Sequence, residues 1–112
     1  MTHKIYLECI DACSACAIEC TSCANELLNE VDIRELSYSI KLHQDCSALC
    51  FLAMGALSGG SKYIKQITSL CAEICNECAD ECAKNANRGH CEMCTDVCRK
   101  CAKECENISN TL

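Results

Sequence analysis

The stretch CEMCTDVCRKCAKEC, residues 91–105, carries a cysteine at every third or fourth position, in steps of 3, 4, 3 and 4. Residues three and four apart share one face of an α-helix, whereas a strand would scatter them over both faces. The stretch is therefore read as one helix with a thiol stripe on one side. Its gaps, Glu92, Asp96, Arg99, Lys100, Lys103 and Glu104, form a solvated opposite face.

The same alternation recurs along the chain. Cys9, Cys13, Cys16, Cys20 and Cys23 step by 4, 3, 4, 3; Cys46 and Cys50 by 4; Cys71, Cys75, Cys78 and Cys82 by 4, 3, 4. With Cys91, Cys94, Cys98, Cys101 and Cys105 this accounts for all 16 cysteines. The groups share a period but not a repeated sequence. Each is the a/d seam of a helix, so four helices are predicted, at about 3–28, 32–57, 62–86 and 90–108. Asp32 with Glu35 is read as a capping pair for the second. The segment SGGS at 58–61 breaks the chain, and Ser61 is placed to cap the third. Gly89, closing NANRG at 85–89, suits a left-handed residue at the end of that helix.

Loops this short make consecutive helices antiparallel neighbours. The predicted fold is all-α: an up-down-up-down four-helix bundle with a Cys-lined core, one domain over residues 1–112. Folding the hairpins back places Cys16 level with about His43, Cys46 and Cys50 with Cys71 and Cys75, Cys71 with Cys101 to Cys105, and Cys82 near Cys91. The thiols then line the bundle axis continuously and do not gather into one four-ligand site. The second helix supplies much of the ordinary packing through Leu36, Ile40, His43, Cys46 or Ser47, Cys50, Met54 and Leu57.

Composition narrows the function. The chain has no Pro, four Gly, no Trp and one Phe, so long helices are permitted and the conventional core inventory is thin. A net charge of −6 argues against a nucleic-acid partner, which needs a basic surface. The longest apolar run, Cys50 to Leu57, is too short to span a bilayer, and no signal-like segment opens the chain. A cytoplasmic location is expected, where thiols stay reduced and serve as metal ligands more readily than as disulfides. No Ser-His-Asp constellation or phosphate-cradling loop is present, and CxxC inside a continuous helix lacks the strand–loop setting of a redox site. No catalysis is expected.

A single buried Cys behaves as a small hydrophobe. Sixteen on helix seams do not fit that account, because each replaces a larger side chain and forgoes apolar burial worth ~25 cal/mol per Å². Thiolates are soft ligands, suited to Cu(I), Zn(II) and Fe–S clusters. Pairs such as Cys13/Cys16 and Cys94/Cys98 can grip one ion between adjacent turns, and most cysteines belong to two such pairs, so sulfurs can bridge neighbouring ions. Closed zinc sites want four ligands, which a single stripe does not offer. The loop patterns of Fe–S proteins are missing. Two thiolates on one helix suit the near-linear coordination of Cu(I).

With these features the chain resembles the bacterial copper storage proteins, four-helix bundles lined with Cys and filled with Cu(I). The resemblance rests on all four cysteine ladders, including CIDACSACAIECTSC at 9–23 and CAEICNECADEC at 71–82, and covers nearly the whole chain. It implies cytosolic storage or buffering of multiple Cu(I) ions per protomer, at about one per Cys. It also implies a homo-oligomer, a tetramer, and an entry path of His or Met near one end. His43, Met54 and His90 are the candidate entry or auxiliary ligands. His43, three residues before Cys46, is equally read as a core histidine satisfied by a hydrogen bond, Met54 as core filler, and His90 as the start of a helix. Copper chaperones or small-molecule thiols are the expected exchange partners, with no membrane or nucleic acid involved. The alternative is a zinc or mixed soft-metal store or detoxification protein, similar in role to metallothionein. A disulfide-stapled bundle is a third reading, suggested by the CX9C spacing of Cys13 to Cys23 and Cys91 to Cys101.

Overall fold

The computed structural model describes residues 2–85 and 89–112, and for residues 2, 3, 89 and 90 the backbone alone. The elements are a short α1 (Thr2–Ile5) and four long helices, α2 (Leu7–Leu27), α3 (Ser37–Gly59), α4 (Ile64–Lys84) and α5 (Gly89–Thr111). Among the described residues there is no strand. The long helices pack in a ring, α2 on α3, α3 on α4, α4 on α5 and α5 on α2, so each touches two antiparallel neighbours. The molecule measures 47 × 17 × 17 Å. A 23-residue helix rises about 34 Å, so the long axis is the bundle axis.

The sequence patterns explain the ends of the helices, with several corrections. The helix expected from residue 3 is interrupted at Tyr6, after which α2 begins with a bond from the Ile10 N–H to the Tyr6 carbonyl (2.8 Å). The second helix starts at Ser37, not 32. Residues 28–36 instead form successive turns, in which the Glu35 N–H bonds the Asp32 carbonyl (3.0 Å) and the Leu36 N–H the Ile33 carbonyl (3.1 Å). Leu36 stands at the N-cap without side-chain help, so the proposed Asp32/Glu35 cap is not what starts α3. The helix begins where its buried stripe begins, since Val31 is wholly exposed and Leu36 is buried. Gly89 opens α5 and does not close α4, which ends at Lys84 with Asn85 as its cap.

The break at 58–61 forms as expected. Gly60 takes the left-handed conformation (φ 67°, ψ 41°), and the Ala56 carbonyl accepts the N–H groups of Gly60 and Ser61, closing α3. The Ser61 hydroxyl accepts the Tyr63 N–H (3.0 Å), but Tyr63 itself is the N-cap of α4 and no side chain bonds there, so Ser61 holds the turn ahead of the helix and does not cap it as expected.

The core has a simple axial order. Sulfur fills the middle. Apolar side chains close both ends: Tyr6, Leu57 and Ile64 at one, Leu27, Leu36 and Ile40 at the other, all buried. Buried alanines, among them Ala17, Ala53, Ala79 and Ala102, accompany the thiols on the four long helices. Such small side chains let neighbouring helices approach closely enough for thiols, which are shorter than Leu, to meet across the axis.

Candidate metal centre

Every cysteine is buried, and none is in a disulfide. Spacing along the helices dictates the stripes; packing decides which sulfurs meet. Across α2 and α5, Cys9 and Cys13 each lie 3.7 Å from Cys105, and Cys23 lies 3.9 Å from Cys91. Across α3 and α4, Cys46 is 3.7 Å from Cys75 and Cys50 is 3.9 Å from Cys71. Sulfurs also meet across the diagonals, Cys16 with Cys75 and Cys50 with Cys101, both at 3.9 Å. The outcome is a continuous sulfur column along the bundle axis. Within it, four-donor groups such as Cys13/Cys71/Cys101/Cys105 and Cys16/Cys46/Cys50/Cys75 keep all their sulfurs within 4.8 Å of one another.

His43 is the auxiliary candidate that joins the column. It is 1 % exposed. Its Nε2 lies 3.0 Å from Cys82 Sγ, and its Nδ1–H is directed at the Ser39 carbonyl (2.6 Å). Donating from Nδ1 turns Nε2 into the column as the ring atom a metal would bind on displacing its proton, the arrangement by which a backbone carbonyl orients a metal-binding imidazole. The Ser39 hydroxyl in turn donates to the Glu81 carboxylate. The axial position of His43 corrects the expectation: it is level with Cys23, Cys82 and Cys94, while Cys16 meets Cys46 (3.9 Å). The late start of α3 shifts its register by about one turn. Cys82 groups with Cys94, and Cys91 meets Cys23 at 3.9 Å. Met54 lies half-buried against the core on the far half of α3, about 16 Å along the axis from His43. His90 begins α5 at the His43 end of the bundle; its side chain is outside the described residues.

Acidity follows from this packing. Burial alone pulls the His43 pKa down, but hydrogen bonds to Cys82 and Cys94 outweigh it and carry the imidazole up to about 10. Hydrogen bonds from Cys23 and Cys78 pull the Cys82 thiol down to about 6 against the opposing pull of Cys94 and burial, with His43 adding to the lowering. Elsewhere the thiols split: bonds from neighbouring thiols pull Cys13, Cys16, Cys46, Cys71 and Cys94 down, while their partners in the column are held protonated. The bond from Cys105 lowers the Cys9 pKa, but its bond to Cys13 and its burial raise it to about 12. The thiols of Cys20, Cys50 and Cys105 are pushed up, chiefly by bonds to Cys16, Cys101 and Cys101 respectively, with burial adding. A buried column that cannot hold many bare thiolates can still hold many thiolate–monocation units. Each Cu(I) that binds replaces a proton and leaves the charge unchanged.

The charged residues between the cysteines lie outside, as predicted. Glu73, Glu77, Asp80, Glu92 and Arg99 are exposed, and Glu81 and Glu104 are half-buried. Arg99 pairs with Asp80 (2.6 Å) across α4 and α5. Sequence reasoning did not find Ser39 or Glu81 as supports of His43. Ser39 orients the ring through its backbone carbonyl, which any residue carries, so no side-chain signal marks it.

A four-helix bundle with a thiol column in place of an aliphatic core is a soft-metal container. Comparison with known proteins makes the class specific. Residues 2–110 match the copper storage protein family (Csp), and the chain belongs to that family. It is 37% identical over 84 residues to the cysteine-rich protein YhjQ of Bacillus subtilis (strain 168), covering 75% of this chain and 77% of that one. The Cu(I)-bound copper storage protein BsCsp3 superposes with a TM-score of 0.87 at 36% identity, covering 93% of this chain and 97% of its own. A cytosolic copper storage protein from Streptomyces lividans, solved with five coppers, superposes with a TM-score of 0.92 at 31% identity, covering 99% and 97%.

Proposed function

We propose that this protein stores and buffers Cu(I) in the cytoplasm, with all 16 cysteines as ligands and about one ion per thiol. The observation that carries the proposal is the unbroken sulfur column. Neighbouring thiols stand 3.6–3.9 Å apart along it and are sealed from solvent, a spacing that lets one sulfur bridge two ions. Family membership supports the same reading. Cu(I) suits the column twice: it is soft, and it is monovalent, so loading does not charge the core. The chain acts as one copper-binding unit and carries out no catalysis.

Copper enters at the His43 and His90 end, where His43 is the one non-sulfur donor placed against the column among the described residues. Met54 is packing. The protein works as a homo-oligomer. The outer face of α3 supports this, because residues 46–61 carry no charge and expose Phe51 and Leu52, while the net charge of −6 lies elsewhere. Two acidic copies can meet there without like-charge repulsion.

Anaerobic titration of the reduced protein with Cu(I) against a competing chelator tests the reading. Loading of about 16 ions is expected. Saturation at about four ions with zinc preferred would replace it with a zinc store. Sedimentation of the loaded protein as a monomer would remove the oligomer alone.

A further inference from the structure

The four-donor groups in the column are not equivalent. Cys13/Cys71/Cys101/Cys105, Cys16/Cys46/Cys50/Cys75, Cys16/Cys20/Cys46/Cys98 and Cys20/Cys78/Cys94/Cys98 each draw two donors from one helix. Cys23, His43, Cys82 and Cys94 draw one donor from each of the four long helices. Donors on separate helices are not tied to the i,i+4 separation of a shared backbone, so they can close on a tetrahedron. This group also holds three sulfurs and one nitrogen, a donor set of closed zinc sites.

We propose that in the copper-free protein Cys23, His43, Cys82 and Cys94 form a site for a single divalent cation of the Zn(II) type, which gives way when Cu(I), the softer ion, takes these three thiols. Charge is the first reason. A divalent ion on four thiolates leaves a net −2 in the sealed core; on three thiolates and a neutral imidazole it leaves −1. Because solvation energy scales with the square of charge, the all-sulfur alternative is penalised roughly four times as heavily. Geometry is the second. Zinc at ~2.3 Å from sulfur and ~2.0 Å from nitrogen sets donor–donor edges of about 3.5–3.8 Å. All four donor atoms here lie within 4.8 Å of one another, and Nε2 is 3.0 Å from Cys82 Sγ. Adjustment of side chains by about 1 Å completes the tetrahedron. The third reason is the ring's support: Nδ1–H is held by the Ser39 carbonyl, so Nε2 is presented as the ligand atom. A bound ion would pin all four helices together at the loop end before copper arrives. The proposal shares with the storage reading only that three of these thiols are ligands.

The test titrates reduced, metal-free protein anaerobically with Zn(II) against a chromophoric chelator, and repeats the binding with Co(II). One tight Zn(II) is expected. The Co(II) form should show the strong d–d bands of a tetrahedral ion and thiolate charge transfer. The ¹⁵N resonance of His43 Nε2 in the wild-type protein should take a metal-bound shift at one equivalent. His43→Ala and Cys23→Ser should each weaken the first ion at least ~10–100-fold, the loss that follows from disturbing even an outer partner of a ligand. Cys71→Ser, in a different group, should leave it unchanged. Several ions of equal strength, equal loss in Cys71→Ser, or an unshifted His43 resonance overturns the proposal. The nitrogen resonance decides the matter even where a variant fails to fold. Cu(I) loading is read separately: its failure with one Zn(II) intact sinks the storage reading alone, and the reverse sinks only this site.

Discussion

Replacing Cys16 with Ala should cost more copper than replacing Cys9 with Ala, although both remove one buried thiol. Cys16 stands 3.6 Å from Cys98, 3.8 Å from Cys20 and 3.9 Å from Cys46 and Cys75. It belongs to two of the four-donor groups. Cys9 lies at the end of the column, 3.7 Å from Cys105. If each ion is held by two thiolates and each interior thiolate is shared between two ions, removing an interior sulfur leaves two ions with one ligand each. Removing a terminal sulfur strands one. From about 16 ions, Cys16→Ala should fall to about 14 and Cys9→Ala to about 15. The reduced apo proteins should be destabilised alike, by about 1 kcal/mol, since either change deletes one group of roughly methylene size from a packed core. Anaerobic Cu(I) titration with a competing chelator gives the capacities, and urea unfolding of the apo proteins gives the stabilities. Equal copper losses at the two positions would refute the shared-thiolate picture.

Leu57→Ala should destabilise the apo protein by ~2–5 kcal/mol, because this side chain is fully buried in the apolar end of the bundle; urea unfolding measures it. Gly60→Ala should cost about 1 kcal/mol through backbone strain alone, since the residue has φ 67° and an added Cβ would meet nothing within 4 Å; a shift in the midpoint of thermal unfolding reads it. Thr21→Val should cost about 1 kcal/mol in urea unfolding by removing the 2.7 Å bond to Ser47 between α2 and α3, and adding Ser47→Ala should cost further, because the Ser47 hydroxyl also donates to the Ala17 carbonyl (3.2 Å).

The His43–Cys82 pair should give the apo protein a flat-topped pH dependence. His43 is raised from 6.5 to about 10 and Cys82 lowered from 9.0 to about 6, so the folded pair holds one proton between those values. The unfolded chain also holds one between pH 6.5 and 9.0, and stability is level there. Below that window the unfolded state binds the extra proton, and the thiolate's share of stability is lost as pH falls through about 6. Above it the unfolded thiol ionises, and the imidazolium's share is lost as pH rises through about 10. His43→Gln should remove the alkaline shoulder in urea unfolding across pH and only trim the acid one, which Cys23 and Cys78 chiefly set; an unchanged alkaline limb would show that the imidazole is not charged in the fold.

Much of this molecule is local, and local features are legible in the chain. Steps of 3 and 4 oblige Cys91 to Cys105 to share a helix face wherever that helix lies, and the same holds for the other three groups. Short connections then oblige antiparallel neighbours, so the bundle, its thiol column and its charged exterior all follow from the sequence. Axial register does not. It depends on how many residues the α2–α3 connection spends in turns, and the turns at 28–36 moved α3 by about one turn relative to expectation. That shift set His43 against Cys23, Cys82 and Cys94 instead of Cys16. Met54, further along the same helix as His43, lies on the opposite half of the bundle whatever the register. The sequence by itself determined that this protein would carry sulfur where others carry leucine. Only the tertiary structure decided which sulfurs meet and which of them share a nitrogen, because distances between helices are set by packing and turn length, not by spacing along any one of them.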